Sequence, residues 1–277
     1  MSGAYRHIAV ASTFSPRFRA VLAEADRIAR RLDSPLSVIH AAAEHEEAIA
    51  RFFEALQDLD RAGSTGVLWS VAENPTEAIL SACRRNEIDL LMAGALEREG
   101  EHRNFVGGVA RGLLHNMPCD IMLLPNPVEE PKTRSKMVVD VNLQDPSIPY
   151  LNRACEIASR LGIQEMVFTG IVTPFDVARV SRSGERLDEA KLAEILDQAD
   201  GFHGEIDFRL LRSNTGFSVC DFLQDSGADF FVAGVREVDN QRRLPARLDW
   251  LLQVIPTNVL LLGVDGTEAF PSQQVGV

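Results

Sequence analysis

The chain is poor in the features that would place a protein outside the cell or in a membrane. Its four cysteines are scattered and form no Cys-x-x-Cys pair, so the sequence predicts reduced thiols. No stretch approaches the ~20 apolar residues that a membrane helix needs, and the first residues contain no apolar run of signal-peptide length. We therefore expect a cytoplasmic protein with no membrane partner.

Positive charge and catalytic motifs are also scarce. Lysine and arginine total 28 against 40 acidic residues, and the net charge of −12 argues against a nucleic-acid partner bound by general electrostatics. The sequence has no Gly-x-Ser-x-Gly motif, no Walker phosphate loop and no cysteine placed beside a histidine for nucleophilic work. His40, Glu44 and His45 could suggest a metal, but the sequence shows no set of three close ligands with a fixed geometry. We expect neither an enzyme nor a metal site.

What the chain does contain is a long internal repeat. Residues 24–40 are similar in sequence to residues 153–169, and DLLMAG (89–94) is similar to DFFVAG (229–234), in the same order along the chain. A third pair is formed by NMPCDIMLL and VIPTNVLLL. A period this long predicts two copies of one domain, because solenoid repeats are several times shorter.

Each copy alternates apolar runs with helical patterns. The runs are apolar throughout, as in LSVIHA and CDIMLL, which is typical of parallel strands covered on both faces. The sequence therefore predicts an α/β protein of two tandem doubly wound domains, each a five-stranded parallel sheet with helices on both faces. The predicted limits are a first domain at 1–125, a proline-rich linker at 126–136, a second domain at 137–264 and a mobile tail at 265–277.

A glycine-bearing loop follows the fourth strand of the first copy. Gly107 and Gly108 precede an apolar helix, and the N–H groups at a helix start favour an anion. In an open parallel sheet, ligands lie beyond the carboxyl ends of the strands, where Gly94 and the residues after the first two strands should meet. The alternative is that these glycines simply form a tight loop.

These features resemble the universal stress protein family in its tandem two-domain form. The stretch Gly94-Ala95-Leu96-Glu97, nine residues and Gly107-Gly108 is similar to the family's phosphate loop, and VASTFSP is similar to its opening strand. The resemblance implies the strand order 3-2-1-4-5 in each domain, and pairing of the domains through their fifth strands as an internal pseudo-dimer. Whole chains could pair further as a homodimer. It also implies a set of nucleotide-binding residues: Thr13, Ala41, Gly94, Gly107 and Gly108.

The sequence departs from the family at the nucleotide site. Thr13 stands where the family has an aspartate that contacts adenine, and Glu97 replaces the second glycine of the loop. In the second copy Pro245 and Ala246 stand where the first copy has its glycine pair, and proline has no N–H to give a phosphate. We therefore predict a non-enzymatic stress-response protein that acts by small-ligand sensing or protein association, with an eroded nucleotide site. The alternative is a stress regulator that binds ATP or AMP in its first domain, with slow ATP hydrolysis.

Arginines gather near the corresponding edge of the second copy. Guanidinium groups suit phosphate or carboxylate, so the sequence suggests an anion pocket different from the family's own. The candidate residues are Arg179, Arg182, Arg186, Arg236 and Arg243. The alternative is a solvated surface on which these arginines pair with neighbouring acidic residues.

Overall fold

The structure is a computed structural model that describes most of the chain. The described residues are 4–12, 14–59, 64–95, 106–130, 132–173, 177–178, 188–212, 217–238 and 241–264. The tail predicted at 265–277 lies outside them.

The N-terminal half alternates strands and helices. Its elements are β1 Ile8–Ser12, α1 Phe18–Arg31, β2 Leu36–His40, α2 Glu46–Gln57, β3 Val67–Trp69, α3 Pro75–Arg85, β4 Leu90–Gly94, α4 Gly108–His115 and β5 Asp120–Leu124. Local chemistry explains several boundaries. For example, Asn74 caps α3 by accepting a hydrogen bond of 3.0 Å from the N–H of Glu77, and Pro75 occupies the first turn.

The C-terminal half repeats this alternation. Its elements are β6 Lys136–Val141, α5 Ile148–Leu161, β7 Glu165–Val172, α6 Glu189–Leu196, β8 Glu205–Arg212, α7 Phe217–Asp225, β9 Phe230–Val235, β10 Glu237–Val238, β11 Gln241–Arg242, a 3-10 helix Ala246–Leu252 and β12 Asn258–Gly263. Helix α5 begins after Ser147, whose hydroxyl accepts from the N–H of Tyr150, and ends at Gly162 with φ of 75°.

One ten-stranded sheet runs through both halves. Its order is β3-β2-β1-β4-β5-β12-β9-β6-β7-β8. The predicted order 3-2-1-4-5 is therefore confirmed in the N-terminal half, and the C-terminal half has the same order read from the opposite edge of the sheet. Strands within a half are parallel, whereas β5 and β12 pair antiparallel, with Leu260 opposite Met122. The two halves are therefore joined through their fifth strands.

Helices cover both faces of this sheet, which confirms the predicted α/β class. Helices α1, α2, α5 and α6 pack on one face, where the core includes Leu22, Phe52 and Leu192. Helices α3, α4 and α7 and the 3-10 helix pack on the other, where the core includes Leu113 and Leu248. The central strands are buried on both sides, and this explains why their sequences are apolar throughout.

A buried carboxylate helps to hold the halves together. Asp120 lies at the start of β5 and accepts from the N–H of Gly263 at 2.9 Å and from the Tyr5 hydroxyl at 3.1 Å. The guanidinium of Arg153, on α5 of the other half, lies 2.7 Å from the same carboxylate. Because these partners come from both halves, the network positions one half against the other.

Candidate functional site

The N-terminal half has a cavity beyond the carboxyl ends of its strands. Strand β1 lies between β2 and β4, so the strand order reverses at this point of the sheet. Ligands of doubly wound sheets bind at such a point. The cavity has a volume of about 290 Å³. Four of the predicted nucleotide-binding residues line it, namely Ala41, Gly94, Gly107 and Gly108. Thr13, the fifth, lies outside the described residues.

The start of helix α4 forms one wall of this cavity. Gly107 precedes the helix with φ of −62° and ψ of 153°, and donates its own N–H to the carbonyl of Ala95 at 3.0 Å. No described side chain caps the helix. A Cβ added at Gly108 would meet no atom of residues 106–130 or of the other described segments within 4 Å. The first N–H groups of α4 therefore border open space, where the helix dipole favours an anion.

The rest of the lining is mainly apolar. It includes Ala11, Val21 and Val109 as well as Pro127, which follows β5. Arg17 also lines the cavity, and its Nη1 donates to the carbonyl of Pro125 at 2.7 Å. The arrangement suits a ligand with an apolar body and an anionic end.

A second cavity lies at the equivalent place in the C-terminal half. It has a volume of about 230 Å³, and Gly234 and Pro245 line it where Gly94 and Gly107 line the first. Beside the apolar Val141, Leu151, Val238 and Val264, its lining contains more charged and polar side chains than the first, namely Asp140, Asn142, Asp145, Ser147, Tyr150, Arg236 and Arg247.

A buried ion pair is the main feature of the second cavity. The Asp140 side chain is fully buried, with 0% exposure, and its Oδ2 accepts from Nη1 of Arg247, whose side chain is 32% exposed. Oδ1 of Asp140 has no hydrogen-bond partner among the described residues. Tyr150 donates its hydroxyl to the carbonyls of Asp140 and Val232, at 3.0 and 3.2 Å. Burial, and then the charge of Asp140, raise the pKa of Tyr150 well above its usual value, so the phenol stays a donor.

The predicted arginine cluster is only partly placed by the structure. Arg236 lines the second cavity, and its Nη2 lies 2.8 Å from Asp145 at a solvent-exposed rim. Arg243 is not part of the lining; it follows the short β10–β11 hairpin and donates its Nε to Gln241 at 2.9 Å. The other three candidates, Arg179, Arg182 and Arg186, lie outside the described residues.

Sequence reasoning passed over Asp140 and Tyr150. The signal for Asp140 was present, since MVVDV places one aspartate inside an otherwise apolar run that forms buried strand β6. A charged residue in such a strand needs a partner, and here the partner is Arg247. Tyr150 gave no comparable signal, because an aromatic residue in an amphipathic helix is usually a core residue.

The histidines considered for a metal have structural contacts. The ring of His40 packs against Phe14, Phe52 and Trp69 at centroid distances of 4.9, 5.1 and 5.4 Å. Nδ1 of His45 accepts from the N–H of Ala48 and caps α2. Among the described residues no group of three histidine, cysteine or acidic side chains is placed to hold a metal. In the same part of the chain, no helix combines the length and apolar character needed to cross a membrane.

Comparisons with known proteins agree with this architecture. A protein of unknown function from Pseudomonas aeruginosa PAO1 superposes with a TM-score of 0.73 at 15% identity, over 94% of this chain and 93% of the other. A universal stress protein from Archaeoglobus fulgidus superposes with a TM-score of 0.58 at 13% identity, over 93% of this chain and 98% of the other. At these identities the likeness is one of fold.

Sequence comparison identifies the family. No curated protein sequence matches the chain. The model of the universal stress protein family, however, matches residues 4–125, which include both the strands and the glycine-lined cavity of the N-terminal half. Residues 4–125 therefore match the universal stress protein family, and over 93% of its length the chain is similar in fold to the universal stress protein from Archaeoglobus fulgidus.

Proposed function

We propose that this chain is a non-enzymatic stress-response protein that senses a small ligand in the cavity of its N-terminal half. The observation that carries the proposal is the convergence of Gly94, Gly107 and Gly108 on one cavity of about 290 Å³ at the point where the strand order reverses. A largely apolar wall beside an open helix start provides two kinds of contact, burial for a ligand's body and N–H groups for an anionic end.

We further propose that residues 1–125 and 137–264 are two domains that act together as an internal pseudo-dimer, joined by a linker at 126–136. The antiparallel pairing of β5 with β12 and the contacts of Asp120 with both halves support this. A cytoplasmic location is also part of the proposal. It is supported by four cysteines that are all buried and unbridged, as in a reducing compartment.

The ligand that we consider first is an adenine nucleotide, ATP or AMP. It is favoured by the uncapped start of α4 and by Arg17, which together offer N–H donors to a phosphate. The first experiment is mass spectrometry of small molecules released from the purified protein. The second is a thermal melt with ATP or AMP, each with and without Mg²⁺. A released nucleotide, or a melting temperature that rises with nucleotide, supports this ligand.

A pair of variants at Gly108 locates the binding. Gly108→Asp has space for its side chain and places a carboxylate at the helix start, where it repels phosphate; Gly108→Asn is nearly the same size but neutral. We expect the nucleotide response to survive in Gly108→Asn and to disappear in Gly108→Asp. An equal response in the two variants would exclude this cavity as the nucleotide site. If the protein releases no small molecule and its melting temperature ignores both nucleotides, the sensing proposal fails for this ligand class.

A further inference from the structure

The second cavity differs from the first at two matched positions. Strand pairing places Ile8 beside Leu90 and Met137 beside Phe230, so Asp140 occupies in β6 the position of Ala11 in β1. Arg247 is the second residue after Pro245, as Val109 is after Gly107. An apolar pair in one cavity is thus replaced in the other by a buried ion pair.

This ion pair is incompletely satisfied. A buried carboxylate is costly unless its oxygens accept hydrogen bonds, yet Oδ1 of Asp140 has no donor among the described residues. A guanidinium has five N–H groups, and within the described structure Arg247 gives one of them to Asp140. The side chain of Arg247 remains 32% exposed, so its other donors are accessible. Within the described part of the chain, Oδ1 of Asp140, an atom closed to solvent, therefore lacks a donor and the exposed part of Arg247 lacks acceptors, and both residues line the same cavity.

The charge and size of the cavity restrict what could supply these groups. Its described lining contains two carboxylates, Asp140 and Asp145, and two guanidinium groups, Arg236 and Arg247, each paired with one carboxylate. The charges of the lining therefore cancel, which gives a polyanion such as a triphosphate little advantage. The volume of about 230 Å³ is smaller than the about 290 Å³ of the first cavity, which favours a small ligand.

We propose that this second cavity binds a small zwitterion of the amino-acid type, with its carboxylate on Arg247 and its ammonium group on Asp140. Such a ligand brings the missing donor and the missing acceptors in one molecule and adds no net charge to a neutral site. Arg247 can meet a carboxylate with two parallel N–H groups, a geometry that a lysine cannot provide. The site is separate from the proposed nucleotide cavity, so the two proposals can fail independently.

The test is a thermal-shift screen of the purified full chain against the free L-amino acids, followed by isothermal titration calorimetry of any that stabilise it. For each of these, two controls lack one charge, the carboxylic acid without the ammonium and the amine without the carboxylate. We expect at least one amino acid to bind, and both analogues to bind about tenfold more weakly or worse, because each loses a charge-assisted hydrogen bond. No response to any amino acid, or an equal response to a simple carboxylate or to inorganic phosphate, overturns the proposal.

The chain itself supplies the matched variant. Asp140→Ala combined with Arg247→Val installs the pair found in the first cavity, and it removes both charges together, which buried ion pairs generally tolerate. We expect amino-acid binding to be lost in this variant and kept in Gly108→Asp. As a second variant, Arg247→Lys keeps a cation beside Asp140 but loses the planar fork, and we expect it to weaken binding at least tenfold. Undiminished binding in either variant would contradict the assignment.

Discussion

The two cavities occupy the same place in two halves of one fold, yet their walls differ in charge. In the N-terminal half Ala11 and Val109 leave an apolar wall beside an open helix start. In the C-terminal half Asp140 and Arg247 fill the same positions with a buried ion pair. The comparison teaches that the strand order decides where a cavity forms, whereas a few side chains decide what chemistry it offers.

Gly94 and Gly234 occupy matched positions in the two cavities, and their surroundings are tighter than those of Gly108. A Cβ at Gly94 would lie 3.3 Å from Val21 Cγ2, and a Cβ at Gly234 would lie 2.7 Å from Val264 Cγ2 and 3.5 Å from the Tyr150 ring. A side chain at Gly234 would therefore overlap Val264, whereas one at Gly94 would need Val21 to move by a few tenths of an ångström. Gly108 differs, since a Cβ there would meet no atom of the described residues within 4 Å.

The largest effect should come from breaking the ion pair on one side. Arg247→Ala leaves Asp140 buried without a cation, so we expect a loss of about 3–5 kcal/mol in the free energy of unfolding. The matched change Val109→Ala removes two methyl groups from a half-buried site and should cost about 1 kcal/mol. Urea unfolding measures both. A loss in Arg247→Ala no larger than in Val109→Ala would show that the two walls are energetically alike.

Alanine at the three glycines should separate packing from ligand space. We expect Gly234→Ala to destabilise by about 1–3 kcal/mol, because its Cβ would overlap Val264, and Gly94→Ala to cost less. Gly108→Ala should be neutral or stabilise by about 0.4–1 kcal/mol, since it restricts the unfolded chain and its Cβ meets no atom of the described residues. Thermal and urea unfolding of the three variants test the order, and a larger loss at Gly108 than at Gly234 would reverse the comparison.

The rim of the second cavity should matter much less than its wall. Arg236 and Asp145 have side-chain exposures of 40% and 61%, so their ion pair is screened by water. We expect Arg236→Ala to change the free energy of unfolding by about 1 kcal/mol or less, and salt to reduce the difference further. The measurement is urea unfolding at low and high sodium chloride, with Arg247→Ala run beside it. A salt-insensitive loss as large as that of Arg247→Ala would mean that the rim pair is in effect buried.

The ionisation of Tyr5 and Tyr150 should not change the free energy of unfolding near neutral pH, but it should lower this free energy in alkali. Burial raises the pKa of Tyr5 and of Tyr150 well above the ordinary 10.0, with the charges of Asp120 and Asp140 as the next causes. A raised folded pKa adds stability that is complete below pH about 10 and is lost as the pH rises through the folded values.

Absorbance at 295 nm during an alkaline titration measures this. We expect no phenolate signal from the native chain at pH about 10 and its appearance together with unfolding at higher pH. Because the chain has two tyrosines, Tyr150→Phe leaves Tyr5 as the reporter of the N-terminal half. A normal titration of the folded protein would contradict the burial of both hydroxyls.

Much of the fold could be predicted from sequence, because apolar runs such as DLLMAG indicate buried strands and the internal repeat indicates that the alternation of strands and helices occurs twice. The convergence of Ala41 and the glycines on one cavity was likewise expected, because the carboxyl ends of parallel strands meet at one edge. The arginine cluster was harder to predict. Arg236 and Arg243 are close in sequence and flank the β10–β11 hairpin, yet Arg236 lines the second cavity and Arg243 does not, a difference that no local pattern predicts.

The sequence alone determined the α/β class, because buried parallel strands and amphipathic helices produce recognisable apolar patterns in their residues. The strand order of the first half was implied by the resemblance to the universal stress proteins. Only the tertiary structure decided which charges meet. Asp140 and Arg247 are 107 residues apart, and no sequence pattern around either residue identifies the other as its partner. Their pairing follows from a strand and a helix start that the fold brings to the same cavity, and that is where the two halves of this protein differ most in chemistry.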